Sequence, residues 1–230
     1  KLLAERCVDC GECYRACPVS AITVEQDDFS RVFDFRHSVL LVPELLFGQF
    51  PEDVDKNLIM DALHQVGFSE VVEVERAASL LKESTHQYLK NTEQDRPLIS
   101  AFCPAVVRLI QVKFPALVDH IILQKPPLDI TAIYYRRKLE EEGINPGEIG
   151  IFYVTQCAAK IAAIKSPVGE SHSYIDGVIN MDYIYNKVYS TIKNQKKAEG
   201  TAGSQEPEAL CPEGVLCSLT HGESDQVEGR

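Results

Sequence analysis

Cys7, Cys10, Cys13 and Cys17, followed at once by Pro18, dictate what the first turns of this chain can become. The run reads Cys-x2-Cys-x2-Cys-x3-Cys-Pro, a spacing that lets a short loop wrap a cube of iron and sulfide, the 4Fe-4S cubane. Thiolates are the soft ligands that such iron requires. Gly11, set between them, leaves room for backbone amides to approach the inorganic sulfurs. Two other chemistries fit less well. Zinc sites split paired Cys-x2-Cys hairpins by a longer loop, and a disulfide framework has no use for so regular a step. The four cysteines are read as ligands of one 4Fe-4S cluster.

A chain of 230 residues has room for one large or two modest domains around a real core. Its net charge of −11 argues against non-specific nucleic-acid binding. No apolar run approaches the ~18–20 residues of a spanning helix, and the N-terminus lacks the basic flank and apolar stretch of a leader. A soluble chain is expected, with neither membrane nor nucleic acid among its partners. The eight cysteines sit in the cluster run or singly, which points to a reducing, oxygen-poor cytoplasm. Beginning at Lys1 with no initiator Met, the chain reads as a piece of something longer.

Past the cluster run, Ala21–Val24 reads as a short extended stretch closing a small module of residues 1–30, and Glu25–Asp28 as an acidic hinge. Residues 31–192 then alternate apolar strands with amphipathic helices. The strands are expected at 38–42, 70–74, 98–102, 149–154 and 176–179. The helices are expected at about 53–66 (capped by Asp53 and ended by Gly67), 77–89, a stretch from Pro104 bearing Val106, Leu109, Ile110, Phe114 and Leu117, 130–142 and 181–192. Such alternation predicts an α/β fold, a mainly parallel sheet covered by helices. Residues 193–230 form a third region, whose stretch from Lys193 to Pro207 is polar, Gly- and Ser-containing, and reads as a mobile loop.

In open parallel sheets, functional groups gather beyond the carboxyl ends of strands. Cys103 and Cys157 both fall there in the expected fold. Pro104 suits the first position of a helix, which puts Cys103 at a helix N-cap, where a thiolate is favoured. Each could equally be an ordinary buried cysteine, since free Cys is among the most buried residue types. Their occurrence as a pair behind a cluster motif favours metal ligation.

These residues carry a family resemblance. Ile99-Ser100-Ala101-Phe102-Cys103-Pro104-Ala105-Val106-Val107-Arg108-Leu109 resembles the first active-site loop of the iron-only (FeFe) hydrogenases, where a cluster-ligating cysteine directly precedes a proline. Thr155-Gln156-Cys157-Ala158-Ala159-Lys160 resembles their second loop, Met-Pro-Cys-x-x-Lys. The likeness runs from a ferredoxin-like module to about Ile192 and includes Leu45-Leu46-Phe47-Gly48-Gln49-Phe50. One ferredoxin motif, the Cys-Pro-Ala-Val-Val loop and Pro167-Val168-Gly169 together look most like the sensory-type branch, whose members often carry a downstream signalling domain.

The resemblance implies an H-cluster, a 4Fe-4S cubane joined through a cysteine sulfur to a two-iron site with carbonyl and cyanide ligands. Cys103 and Cys157 match two of its four cubane ligands, and Lys160 matches the lysine that hydrogen-bonds a cyanide. A solvated surface role is the alternative for Lys160. Molecular hydrogen, protons and an electron-transfer partner such as a ferredoxin would be the partners, and the intact protein a hydrogenase-type oxidoreductase.

Three departures matter. Phe102 stands where catalytic members have a proton-relaying cysteine, and a hydrocarbon carries no proton, so a sensor or slow enzyme is expected. Thr155 and Gln156 replace Met-Pro. The third family loop, with the last two cubane cysteines, is not clearly present, so this chain by itself is expected to be inactive. Cys211 and Cys217 are spaced more widely than the family's Cys-x3-Cys. The competing expectation is a non-catalytic electron-transfer protein in which Cys103, Cys157, Cys211 and Cys217 hold an ordinary second cubane. A third is a ferredoxin module fused to a ligand-binding α/β domain with no second cluster.

Overall fold

A computed structural model describes residues 3–91, 97–167 and 172–199, together with Val215. Four strands make one sheet: β1 (His37–Val42), β2 (Glu70–Glu73), β3 (Ile149–Thr155) and β4 (Gly177–Asn180). The order is β2-β1-β3-β4 and every pairing is parallel. The helices are α1 (Glu12–Ala16), α2 (Lys56–Val66), α3 (Ala78–Asn91), α4 (Pro104–Lys113), α5 (Pro127–Glu141), α6 (Ala158–Lys165) and α7 (Met181–Glu199). The expected helix-covered parallel sheet is the observed fold.

The central strands are mainly apolar because both of their faces are covered. Leu40, Val42, Phe152, Val154 and Ile179 face a core shared with Ile59, Ala62 and Leu63 of α2 and Ile184 and Val188 of α7. The alternate residues Val39, Leu41, Ile149, Ile151 and Tyr153 face Leu128, Ala132 and Leu139 of α5. Phe152 is fully buried, and its register partner is Gly177. A Cβ on Gly177 would lie 2.8 Å from the Phe152 ring, so the glycine is what lets the aromatic ring lie across the neighbouring strand.

Strand order reverses direction between β1 and β3, the arrangement that opens a crevice beyond their carboxyl ends. The segment Glu44–Gln49, which carried part of the family likeness, turns back at the end of β1 with Leu46 and Phe47 buried.

Several expectations need correction. Residues 98–102 are not a sheet strand: Ile99 makes an isolated parallel bridge to Ile121, outside the four-stranded sheet. All five are only part-buried, and a parallel strand needs cover on both faces. The helix at 56–66 is capped by Asp55, whose carboxylate accepts from the Leu58 N–H at 2.9 Å, and not by Asp53. Ala21–Val24 joins no strand ladder.

The acidic hinge is pinned rather than loose. Asp27 accepts from the Val178 N–H at 2.8 Å and from Arg31 at 2.7 Å, and lies 3.4 Å from Lys165. The apolar face expected for α4 is partly open, with Ile110 buried but Val106, Phe114 and Leu117 exposed. Helix α7 continues to Glu199, so the start of the expected mobile stretch from Lys193 is helical. The remainder of that stretch, Cys211 and Cys217 lie outside the described residues, as does most of Pro167-Val168-Gly169. Among the described residues no helix is long and apolar enough to cross a membrane.

Candidate metal centre

The loop from Cys7 to Cys17 is shaped by main-chain conformation rather than by packing. Asp9, Gly11 and Ser20 all have positive φ, at 54°, 80° and 50°. Such values wind the backbone tightly and turn amides inward. The Asp9 N–H donates to Cys7 Sγ at 3.4 Å, and the Ala21 N–H donates to Cys17 Sγ at 3.2 Å. The Ala21 amide, with those of Val19, Ile22 and Ser20, outweighs partial burial and holds the Cys17 thiol below its ordinary pKa. At Cys7 the Asp9 amide also pulls downward. The Asp9 carboxylate, which accepts from the thiol at 3.3 Å, leaves the net shift upward.

Among the described residues, no three His, Cys, Asp or Glu side chains converge on the space of a single ion. A cubane asks for something else, four thiolates each at its own iron, with amides directed at sulfur. Four cysteines on one short loop and amides already donating to two of their sulfurs fit that group.

Cys157 sits where the fold predicts, two residues past the end of β3 at the N-cap of α6. Its N–H donates to Thr155 Oγ1 at 3.1 Å, so the threonine helps to hold the cysteine's backbone. Cys103 is the N-cap of α4, reached from the isolated bridge rather than from a sheet strand. Both cysteines are exposed, as is Cys10, whereas Cys7, Cys13 and Cys17 are part-buried.

Helices α4 and α6 both hold the cysteine loop. From α4, Arg108 Nε donates to the Cys7 carbonyl at 2.7 Å. From α6, Ala158 packs so tightly that a Cβ on Gly11 would lie 2.7 Å from its own Cβ. Gly11 is therefore required twice, by its positive φ and by this contact. The Cys7-to-Cys17 loop is thereby tied to both helices that Cys103 and Cys157 cap, at the middle of α4 and at the first residue of α6.

A cavity of about 700 Å³ lies between these elements, lined among others by Phe102, Lys160, Glu75 and Tyr153. Lys160 Nζ donates to Tyr153 Oη at 3.2 Å. Burial works against the ammonium, yet Tyr153, Cys157 and Glu75 together raise its pKa above the ordinary lysine value. It is a half-buried cation on a cavity wall rather than a solvated surface lysine. Glu75 accepts from the Glu44 N–H at 3.0 Å, and burial pushes its carboxyl up. Two residues earlier in the chain, Glu73 forms a buried ion pair with Lys56 at 2.9 Å.

Sequence reading singled out the cysteines, Phe102 and Lys160, and gave no role to Arg108, Asp9, Glu75 or Ala158. The contact from Arg108 to Cys7 spans 101 positions. A charged residue in the apolar stretch of α4 was the one available signal for Arg108.

The sequence model of the family described as iron-only hydrogenase large subunit, C-terminal domain, matches residues 41–200. That of the 4Fe-4S binding domain matches residues 2–23. Together these support iron–sulfur cofactors. No curated protein matches the sequence. Two solved variants of the FeFe-hydrogenase HydA1 from Chlamydomonas reinhardtii are each 20% identical with a TM-score of 0.51. The alignments cover 82% and 83% of this chain and 48% and 49% of theirs. A third solved FeFe-hydrogenase, whose oxygen inactivation is initiated at the 2Fe subcluster of its H cluster, is also 20% identical. Its TM-score is 0.50, with 83% of this chain and 50% of that one covered. These likenesses establish the fold. The chain spans about half the length of the hydrogenases it matches.

Proposed function

The chain belongs to the iron-only hydrogenase large-subunit, C-terminal domain family, and we propose that it works as part of a hydrogen or redox sensor. In this proposal Cys7, Cys10, Cys13 and Cys17 hold a 4Fe-4S cluster that stores and passes single electrons. Cys103 and Cys157 supply two of the thiolates of an H-cluster, which when bound supplies the hydrogen chemistry. Molecular hydrogen, protons and a ferredoxin-like electron partner are the proposed partners, with a signalling domain as the proposed recipient of the redox state.

One observation carries the proposal: the loop of the first four cysteines is held by Arg108 of α4 and by Ala158, the first residue of α6, the two helices that Cys103 and Cys157 cap. That arrangement supports two adjacent metal centres rather than a ferredoxin module beside an unrelated ligand pocket.

The chain's own side chains then have distinct tasks. Lys160 carries three donor protons; one is given to Tyr153, and the others are available to an anionic ligand in the cavity. Its partners outweigh the burial that opposes its charge, so it stays an ammonium at neutral pH. Phe102 lines the same cavity and can neither accept nor donate a proton. Losing positioned acid–base help costs roughly 10²–10⁴ in rate, so slow turnover is expected, which suits sensing better than bulk hydrogen production.

Anaerobic reconstitution tests the first part. The protein should bind about four irons and matching sulfide through the first motif, and Cys10→Ser should remove them while sparing any second cluster. Stoichiometric zinc without sulfide would sink the iron–sulfur assignment. Infrared bands from carbonyl and cyanide after maturation test the second part; their absence would return Cys103 and Cys157 to a plain cubane. With a verified two-iron site, Phe102→Cys should raise hydrogen evolution, and no gain would defeat the proton-relay explanation.

A further inference from the structure

Arg108 joins the two parts of the candidate centre in a way neither cysteine motif encodes. Its Nε donates to the Cys7 carbonyl at 2.7 Å and lies 3.3 Å from Asp9 Oδ2. Asp9 turns back on the ligand: from its left-handed φ of 54°, its N–H donates to Cys7 Sγ at 3.4 Å. Cys7 is thus gripped through its main chain by a cation and through its sulfur by a residue that carries an anion. The cation belongs to the helix that begins at Cys103.

We infer that Arg108 is a positioning residue for electron transfer: it fixes the Cys7 corner of the N-terminal cluster against α4 and, paired with Asp9, sets the potential at which that cluster accepts an electron. The inference rests on the iron–sulfur assignment of the Cys7-to-Cys17 loop.

The physical cause is charge. Taking a cubane core from +2 to +1 adds one electron from a low-potential reductant and makes or breaks no bond. The reduced cluster is more negative by one unit. A cation near its ligand stabilises that form and raises the potential, whereas a carboxylate lowers it. Both side chains are 36% exposed, so water and salt screen them and the effect is moderate.

Because the two residues share one ion pair, neutralising one leaves the other's charge uncompensated beside Cys7. The two substitutions therefore push in opposite directions. A purely structural role predicts no such sign change. Asn is the apt replacement at position 9, since it adopts positive φ readily and keeps the amide that donates to sulfur. Lys at position 108 keeps the charge while losing the planar guanidinium donor.

The test is potentiometric titration with dithionite, followed by electron paramagnetic resonance at low ionic strength, on the full chain reconstituted with iron and sulfide. The signal that Cys10→Ser removes identifies the N-terminal cluster. Arg108→Gln should lower its reduction equilibrium constant about threefold to tenfold, a tenfold change being ~59 mV for a one-electron couple. Asp9→Asn should raise it by a similar factor, and Arg108→Lys should stay close to the unmodified protein. Added salt should shrink both shifts.

Unchanged potentials, or Gln and Asn variants that move together, would overturn the inference while leaving the cluster assignment intact. Failure of the unmodified protein to bind iron through the first motif would instead overturn the assignment. If Arg108→Gln loses its iron, Arg108→Lys and Asp9→Asn carry the same comparison: the Asn variant must sit higher in potential than the Lys variant.

Discussion

The cysteine loop and the sheet are opposite solutions to holding a chain in place. In the sheet every residue of β3 is buried, and order comes from apolar side chains packed on both faces. In the loop, neither the turn at Ala4–Arg6 nor α1 buries a single side chain. Its shape comes from three positive-φ residues, amides donating to sulfur, and two contacts reaching in from α4 and α6. Apolar burial is worth ~25 cal/mol per Å², and the loop has little of it to draw on. The sheet should stand by itself, whereas the loop should depend on its metal and on its two seats.

The sharpest break between the two regions should come from the sheet. Phe152→Ala removes a fully buried ring packed against Phe35 and Phe68, and should cost ~3–5 kcal/mol in urea denaturation. A loss well under 1 kcal/mol would mean the core is not where the stability resides. Lys56→Met should come next, because Glu73 would stay buried with only Arg76 beside it at 3.4 Å. Stranding one member of such a pair costs up to ~3–5 kcal/mol, and Arg76 should hold the loss to the lower part of that range. Adding Glu73→Gln should recover much of it.

Smaller effects should be confined to the loop. Chelating iron from reconstituted protein should strip hydrogen-exchange protection from residues 3–24 and leave the amides of β1 and β3 protected; simultaneous loss in both would erase the contrast. Gly11→Ala should cost ~1–2 kcal/mol locally from its φ, with more from the clash with Ala158. It should reduce iron retention while the urea midpoint of the sheet barely moves.

The smallest effect is expected at the junction. Burial pushes the Asp27 carboxyl up, but the Val178 amide, Lys165 and Arg31 outweigh it and hold the folded pKa below the ordinary value. A depressed folded pKa stabilises the fold above the unfolded value of ~3.9. That contribution is lost as pH falls through the folded value. Asp27→Asn should therefore flatten the acid limb of the stability curve, measured as urea midpoint against pH, and leave the neutral region less stable.

The two regions also differed in how far they could be read from sequence. Strands such as 38–42 and 149–154 announce themselves as continuous apolar runs, because two-sided burial leaves a local compositional trace. The stretch 98–102 carries nearly the same trace and still lies outside the sheet, since composition records the wish for cover and not whether cover arrives. In the loop, spacing exposed the ligands because a cubane constrains neighbouring cysteines directly. Arg108 and Ala158 stayed hidden because their meaning depends on a tertiary meeting with Cys7 and Gly11. Phe102 and Lys160 were legible only through resemblance; their shared cavity wall became visible with the fold.

The tie between Cys7 and Arg108 also has a consequence in time. Their 101-residue separation means that a ribosome delivers the cysteines long before the helix that seats them. At ~5–20 residues per second, the interval is on the order of 5–20 s. Throughout it the thiols are free to meet oxidant or a stray ion on a chain that has no finished place to put them. An oxygen-poor interior, or late delivery of iron to a completed chain, would spare the nascent motif that hazard.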